Sequence, residues 1–181
     1  MDLRTERTKR SIANAFLELR KQKSIEKITV KELSELAFIN KATFYTHYHD
    51  IYDLSDQLEN EFMDSIINEL PHPESIITDP ALATRELADM LISKNDITTI
   101  LFSGSRQSLL SEKIYAALMK YIVSNYPDHE QSLQRNIVLS IIIQGTFHAY
   151  QTFATNENRD EVTQILGEVS TCLKNNFLVI S

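Results

Sequence analysis

The sequence predicts an all-α fold of about nine helices, in which a small N-terminal domain precedes a larger helical one. The 181 residues include only three Gly and four Pro, whereas sheets and loops use more of both. Apolar residues recur at helical spacing along most of the chain, and no stretch alternates as a strand does. A hydrophobic fraction of 43 % with 24 % charged residues is typical of a globular protein. We place the two domains at residues 1–49 and 50–181.

Cysteine content and hydropathy indicate the compartment. Cys172 is the single cysteine and has no partner for an internal disulfide, which favours a reducing environment. The charged N-terminal residues are followed by no apolar run of the kind a signal peptide needs. The longest apolar run, at 137–143, is far shorter than the roughly 20 residues of a membrane span. We therefore expect a cytoplasmic protein without membrane association.

Charge is divided unevenly between the two predicted domains. Residues 1–49 contain ten Lys and Arg against six Asp and Glu, a net charge of +4, and the remainder of the chain carries −11. The overall charge of −7 hides this asymmetry. A small basic domain attached to an acidic body is typical of a protein that binds nucleic acid at one end.

Helix 1 is predicted from about Thr5 to Lys23, because apolar residues from Ile12 to Leu19 recur at helical spacing. Its start carries several Arg and Lys, although cations at a helix N-terminus oppose the helix dipole. Two interpretations stay open, a solvated basic tip and a surface for DNA phosphates.

Two short helices follow. Thr29 is predicted to cap helix 2 in a capping box with Glu32, and Asn40 to cap helix 3 from Lys41 onward. Helical spacing puts Phe44 and Tyr48 on the inner face of helix 3. The outer face and flanks are small or singly polar: Ala42, Thr43, Tyr45, Thr46 and His47. Small residues let a helix approach base edges in a major groove, and no side chain there can read a base bidentately. A three-helix arrangement of this kind is a helix-turn-helix DNA-binding domain.

From residue 12 to residue 54 the chain resembles the DNA-binding domain of the tetracycline-repressor (TetR/AcrR) family. The resemblance is carried by AFLEL in helix 1, ITVKEL at helix 2 and above all KATFYTHYHDIYDL at helix 3. It implies DNA contacts by Thr29, Lys41, Thr43, Tyr45 and His47. Three positions depart from the family pattern. Phe38 replaces the Gly of the turn, Ser24 replaces a Gly before helix 2, and Ile51 replaces a phosphate-binding Lys that opens helix 4.

Beyond the resemblance, helical spacing predicts six further helices. Helix 4 runs from about Asp50 to Leu70 and ends at a Pro-rich loop that extends to Asp79. Helix 5 ends near residue 93, helix 6 occupies 95–102, and Ser105 or Ser108 caps helix 7. Helix 8 begins near Asp128 and continues to about residue 155, and helix 9 covers about 159–178.

Helix 8 is apolar almost all round, so it must be covered on both sides. Its Gly145 would be explained by close approach of another helix. Helices 8 and 9 paired with their copies would form a four-helix dimer interface, as the resemblance also implies, with a buried helix in a monomer as the alternative. The expected interface residues are Gly145, Leu166, Val169 and Leu173.

Polar groups on the same helices suggest a pocket for a small effector. The candidates are Tyr115, Gln144, His148 and Gln151, although each could instead be an ordinary core or interface residue. His47 and His49 have no further ligands for a metal, and no catalytic motif or phosphate loop is present. We therefore expect no cofactor, no metal and no enzymatic activity.

Together these observations favour a homodimeric repressor that a small molecule releases from a palindromic double-stranded DNA operator. The alternative is an adaptor of the same fold that binds a protein partner, with DNA binding weakened or lost.

Overall fold

The computed structural model describes residues 3–126 and 132–178, and this part of the chain is all-α, as predicted. It contains ten α-helices and two short 3₁₀ segments, Ile25–Lys27 and Gly104–Leu109. The helices are α1 (Leu3–Gln22), α2 (Val30–Leu36), α3 (Lys41–Tyr45), α4 (Ile51–Asn68), α5 (Ser75–Thr78), α6 (Pro80–Ser93), α7 (Asn95–Leu101), α8 (Leu110–Asn125), α9 (Leu133–Phe153) and α10 (Arg159–Phe177).

Two local predictions need correction. The Pro-rich loop contains the single turn α5, which the Thr78 hydroxyl closes by donating to the Glu74 carbonyl. The helix predicted as helix 7 is α8, and neither Ser105 nor Ser108 caps it. The chain enters α8 from a 3₁₀ segment, and Leu109 stands at the N-cap. The predicted start of helix 8 near Asp128 lies outside the described residues.

The chain forms two compact units. The first comprises the described parts of Met1–Phe62 with Asn95–Ser108, and the second Met63–Lys94 with the described parts of Leu109–Ser181. The predicted boundary lies between residues 49 and 50, whereas the first unit extends through the first part of α4 to Phe62 and also includes residues 95–108.

The first unit has an apolar core built from the predicted faces. Phe16 of α1, Leu33 of α2, Phe44 of α3 and Leu54 of α4 are all fully buried. Leu36 of α2, which helical spacing predicts on the same inner face as Leu33, is instead 43 % exposed.

A buried polar network holds residues 95–108 in the first unit. Arg20 of α1 donates to the Ser103 carbonyl at 3.1 Å and the Ser103 hydroxyl at 2.6 Å. Arg106 donates to Glu59 of α4, whose side chain is fully buried, and to Asp56 at 3.0 Å. Burial lowers the pKa of Arg20, whereas the hydrogen bond to Glu59 raises that of Arg106. Two guanidinium groups therefore hold the segment: Arg106 of the segment binds α4, and Arg20 of α1 binds the segment at Ser103.

The second unit contains a close crossing of α6 and α10. A Cβ atom added to Gly167 would lie 2.8 Å from the Ala81 Cα and 2.9 Å from its Cβ. Glycine is thus required at this point of α10. A Cβ atom added to Gly145 would meet open space, so no helix in the described part of the chain makes the close approach predicted there.

None of the helices in the described ranges combines the length and the apolar character that crossing a membrane requires.

Candidate nucleic-acid interface

The start of α2 is capped as the sequence predicts. The Thr29 hydroxyl accepts a hydrogen bond from the Glu32 amide at 3.2 Å. The predicted capping box is not completed, because the Glu32 carboxylate accepts no hydrogen bond from the Thr29 amide; it accepts instead from Lys23 Nζ at 2.6 Å. Thr29 is exposed, and its hydroxyl proton can still be donated outward. Ser24 has an extended backbone with φ −68°, so the position needs no glycine.

The turn between α2 and α3 contains a strained residue. Phe38 adopts φ +56°, the left-handed conformation that glycine tolerates best, and its side chain is 93 % exposed. For a residue with a Cβ atom this conformation costs about 1–2 kcal/mol. Hydrogen bonds on both sides hold it in place: the Ser11 hydroxyl donates to the Ala37 carbonyl at 2.8 Å, and the Ile39 amide donates to the Ser34 carbonyl at 3.0 Å.

Helix α3 is short and firmly anchored. The Asn40 side chain accepts from the Thr43 amide at 2.7 Å, which confirms the predicted N-cap. Phe44 and Tyr48 are buried with ring centroids 5.7 Å apart, as expected for the inner face. Burial raises the pKa of the Tyr48 phenol to about 12. The α-helix ends at Tyr45, so Thr46 and His47 lie in the turn that follows.

The outer face of this segment is accessible. Lys41, Ala42, Tyr45 and Thr46 are exposed, whereas Thr43 and His47 are half-buried. Together with exposed Thr29, these are all of the residues predicted to contact DNA.

Local hydrogen bonds define what the two threonines can offer a base. The Thr43 hydroxyl donates to the Asn40 side chain at 2.9 Å, and the Thr46 hydroxyl donates to the Thr43 carbonyl at 2.6 Å. Because both hydroxyl protons are already donated, each hydroxyl can offer a ligand only its acceptor lone pairs, and each threonine also carries a methyl group. Such a surface suits the amino groups of adenine or cytosine and the methyl group of thymine.

The start of α4 is acidic where the family pattern has a Lys. Ile51 is buried in the core of the first unit. Asp50 accepts from the Asp53 amide and Asp53 accepts from the His49 amide, both at 2.8 Å. The hydrogen bonds from Gln57 and then from the His49 amide lower the pKa of Asp53. These carboxylates occupy backbone amides that a phosphate could otherwise use, so any phosphate contact must come from neighbouring elements.

One neighbouring element is the basic start of α1. Arg7 and Arg10 are exposed and Lys9 is half-buried. The hydrogen bond from Ser11 to Ala37 fixes this part of α1 beside the turn. The structure thus brings a basic helix end and the strained turn together, a juxtaposition that no local sequence pattern predicts.

The predicted pocket residues lie on two helices of the second unit. Tyr115 of α8 is half-buried, whereas Gln144, His148 and Gln151 of α9 are exposed. Gln144 donates to the Ser140 hydroxyl of its own helix at 2.9 Å. Three of the four side chains are thus exposed in the described part of the chain, and their role in a ligand pocket stays a prediction.

The predicted interface residues also differ in exposure. Gly145 and Val169 are exposed, and Leu166 and Leu173 are half-buried. The structure shows an exposed apolar row on α9, the helix predicted to form the interface, at residues that were not among those expected there. Leu133, Ile137 and Ile141, four residues apart, are 77 %, 50 % and 55 % exposed. The nearly continuous apolar character of α9 was the signal that could have identified them.

No three His, Cys, Asp or Glu side chains in the described ranges come together as a potential metal site, and Cys172 is exposed. Comparisons of the chain with protein-family models, curated proteins and solved structures gave no match.

Proposed function

We propose that this chain is a DNA-binding transcriptional regulator of the TetR/AcrR type, in which α3 is the recognition helix. The observation that supports this proposal most strongly is the construction of α3. Phe44 packs its inner face into the core, and Asn40 caps its first turn. Exposed Ala42 and Thr46 with half-buried Thr43 leave only small side chains on the outer side. A helix built in this way can approach base edges closely.

The proposal includes a homodimer that reads a palindromic operator. The exposed row Leu133, Ile137 and Ile141 on α9 and the exposed Ile165 and Val169 on α10 are apolar surface that a second copy would cover. Two copies of α3 would then enter successive major grooves about 34 Å apart. A small molecule that binds better to a different spacing would release the operator by shifting the population, so the regulator would act as a repressor.

The DNA-binding step can be tested with two matched lysine variants. Lys41 opens α3, whereas Lys21 lies on α1 and pairs with Glu18. Fluorescence titration of the full chain against random duplex at two salt concentrations should show strong, salt-dependent binding. Lys41→Ala should weaken binding and reduce the slope of log affinity against log salt concentration by about one for each DNA-binding domain. Lys21→Ala should do neither. If the two substitutions have equal effects, α3 does not contact the DNA.

The operator can be found by selecting duplexes from a random pool with the wild-type protein. A recovered sequence with two half-sites about ten base pairs apart would support a homodimer that binds one half-site with each α3. The modest side chains of α3 predict weak discrimination at each base, so spacing and DNA shape should contribute much of the specificity.

A second candidate, an adaptor that binds a protein partner, is favoured by the acidic start of α4. Asp50 and Asp53 place negative charge where a phosphate-binding cation is usual in the family, and Ile51 is buried. Repulsion between these carboxylates and a DNA backbone would weaken binding. The same titration separates the candidates, because an adaptor that has lost DNA binding gives no salt-dependent signal.

A further inference from the structure

Phe38 combines two features that are unfavourable for an isolated chain. Its backbone lies in the left-handed region, where glycine is the residue of choice, and its ring is almost wholly exposed. Single exposed apolar residues are common on protein surfaces. An exposed aromatic ring on a strained turn is less common, and such strain is often found at functional positions.

The ring is also held close to the proposed recognition helix. Phe38 precedes Lys41 by three residues, so their Cα atoms are at most about 11 Å apart. The hydrogen bonds to the Ala37 carbonyl and from the Ile39 amide restrain the backbone on either side of it. A major groove is about 12 Å wide, so this separation allows the ring to reach a duplex bound to α3.

We propose that Phe38 is an additional DNA contact, which packs its ring against a thymine methyl group at the edge of the half-site. This inference rests on the proposed DNA-binding function. A thymine methyl is the apolar group that a major groove offers, and Phe is suited to contact it. The contact would supply discrimination that α3 lacks, since its sequence KATFY contains no Arg, Gln or Asn.

The proposal can be tested on the duplex that the wild-type protein selects from a random pool. Each thymine is replaced in turn by deoxyuridine, which removes only the methyl group, and affinity is measured by fluorescence anisotropy. Loss of the methyl group that Phe38 contacts should weaken wild-type binding by about fourfold for each half-site, as expected for one buried methyl group. Thymines that contact Thr43 or Thr46 also respond, but their response should persist in the Phe38 variants. Substitution at thymines outside the Phe38 contact gives the comparison.

Three variants separate the ring from the backbone. Phe38→Ala removes the ring and keeps the requirement for positive φ, Phe38→Gly removes the ring and relieves the strain, and Phe38→Tyr keeps the ring. The Ala and Gly variants should bind more weakly and lose sensitivity to deoxyuridine at that position, whereas the Tyr variant should retain it. The salt slope should not change, because no charge is removed.

Thermal unfolding tests whether a folding defect, and not loss of the ring, explains the weaker DNA binding of the Ala and Gly variants. Phe38→Gly should unfold at a higher temperature than Phe38→Ala and yet bind DNA equally weakly, because only the ring is missing from both. If both variants bind as tightly as wild type and keep its deoxyuridine profile, the inference fails while the proposed function stands, and the ring is then free to contact a protein partner. If the wild-type protein shows no salt-dependent DNA binding, the proposed function itself fails.

Discussion

Arg106 donates to both carboxylate oxygens of Glu59, from Nε at 2.8 Å and from Nη2 at 2.5 Å, and the Glu59 side chain is fully buried. The two residues are 47 positions apart in the sequence. Their ion pair joins α4 to the segment 95–108 within the first unit.

We expect Arg106→Leu to lower the free energy of unfolding by about 3–5 kcal/mol, because it removes the cation from a buried carboxylate. Urea denaturation followed by circular dichroism measures the loss. The double variant Arg106→Leu with Glu59→Leu should recover much of it, since an apolar pair no longer buries a charge. Lys21→Ala breaks an exposed ion pair with Glu18 and should cost about 1 kcal/mol or less. A loss no larger than this control would mean that the Arg106 pair is not structurally important.

Gly167 and Gly145 provide a matched pair of helix glycines. Gly167→Ala should destabilise the second unit by about 1–3 kcal/mol, because the added Cβ would overlap the backbone of Ala81. Gly145→Ala meets open space within the chain and should stabilise it by up to about 1 kcal/mol. Unfolding is measured at a protein concentration low enough to keep the chain monomeric. Equal effects of the two substitutions would contradict the close crossing of α6 and α10.

The apolar row of α9 should control self-association. Ile137→Asp places a charge in the proposed interface and should shift the protein toward monomer in sedimentation equilibrium. Ile97 of α7 is similarly exposed but belongs to the first unit, so Ile97→Asp should leave the association unchanged. A dimer that tolerates Ile137→Asp would place the interface elsewhere.

His72 should make stability depend on pH near neutrality. Its Nδ1 lies 2.6 Å from Glu86, and this hydrogen bond raises the pKa of His72. The folded state therefore binds the proton more tightly than the unfolded state, whose pKa is about 6.5. The stabilisation is fully present below the unfolded pKa and is lost as pH rises through the higher folded pKa.

The difference in unfolding free energy between wild type and His72→Asn should accordingly shrink from pH 6 upward. The same comparison in a Glu86→Gln background is the control and should depend much less on pH. A pH dependence that persists in this background would assign the effect to another group.

Capping and periodicity predicted the local construction of the candidate interface. Thr29 and Asn40 cap their helices as expected, and Phe44 and Tyr48 form the inner face of α3. These features depend on residues within four positions of one another, which a sequence displays directly.

Tertiary pairings could not be predicted in the same way. The partner of Glu59 and the approach of Gly167 to Ala81 join residues far apart in the sequence, and nothing in either local pattern specifies the other. The turn at Phe38 was only partly predictable from the sequence. The sequence identified a position where glycine is usual, but it did not show that Phe38 would adopt the glycine conformation itself.

The insertion of residues 95–108 into the first unit has a consequence for biosynthesis. When the ribosome has released only residues 1–62, the carboxylate of Glu59 and the guanidinium of Arg20 still lack the partners that Arg106 and Ser103 provide. The intervening stretch 63–94 must emerge and close as a loop, at an entropic cost that grows only slowly with its length. The N-terminal part of the nascent chain should therefore acquire its full resistance to proteolysis only after residue 108 has left the exit tunnel.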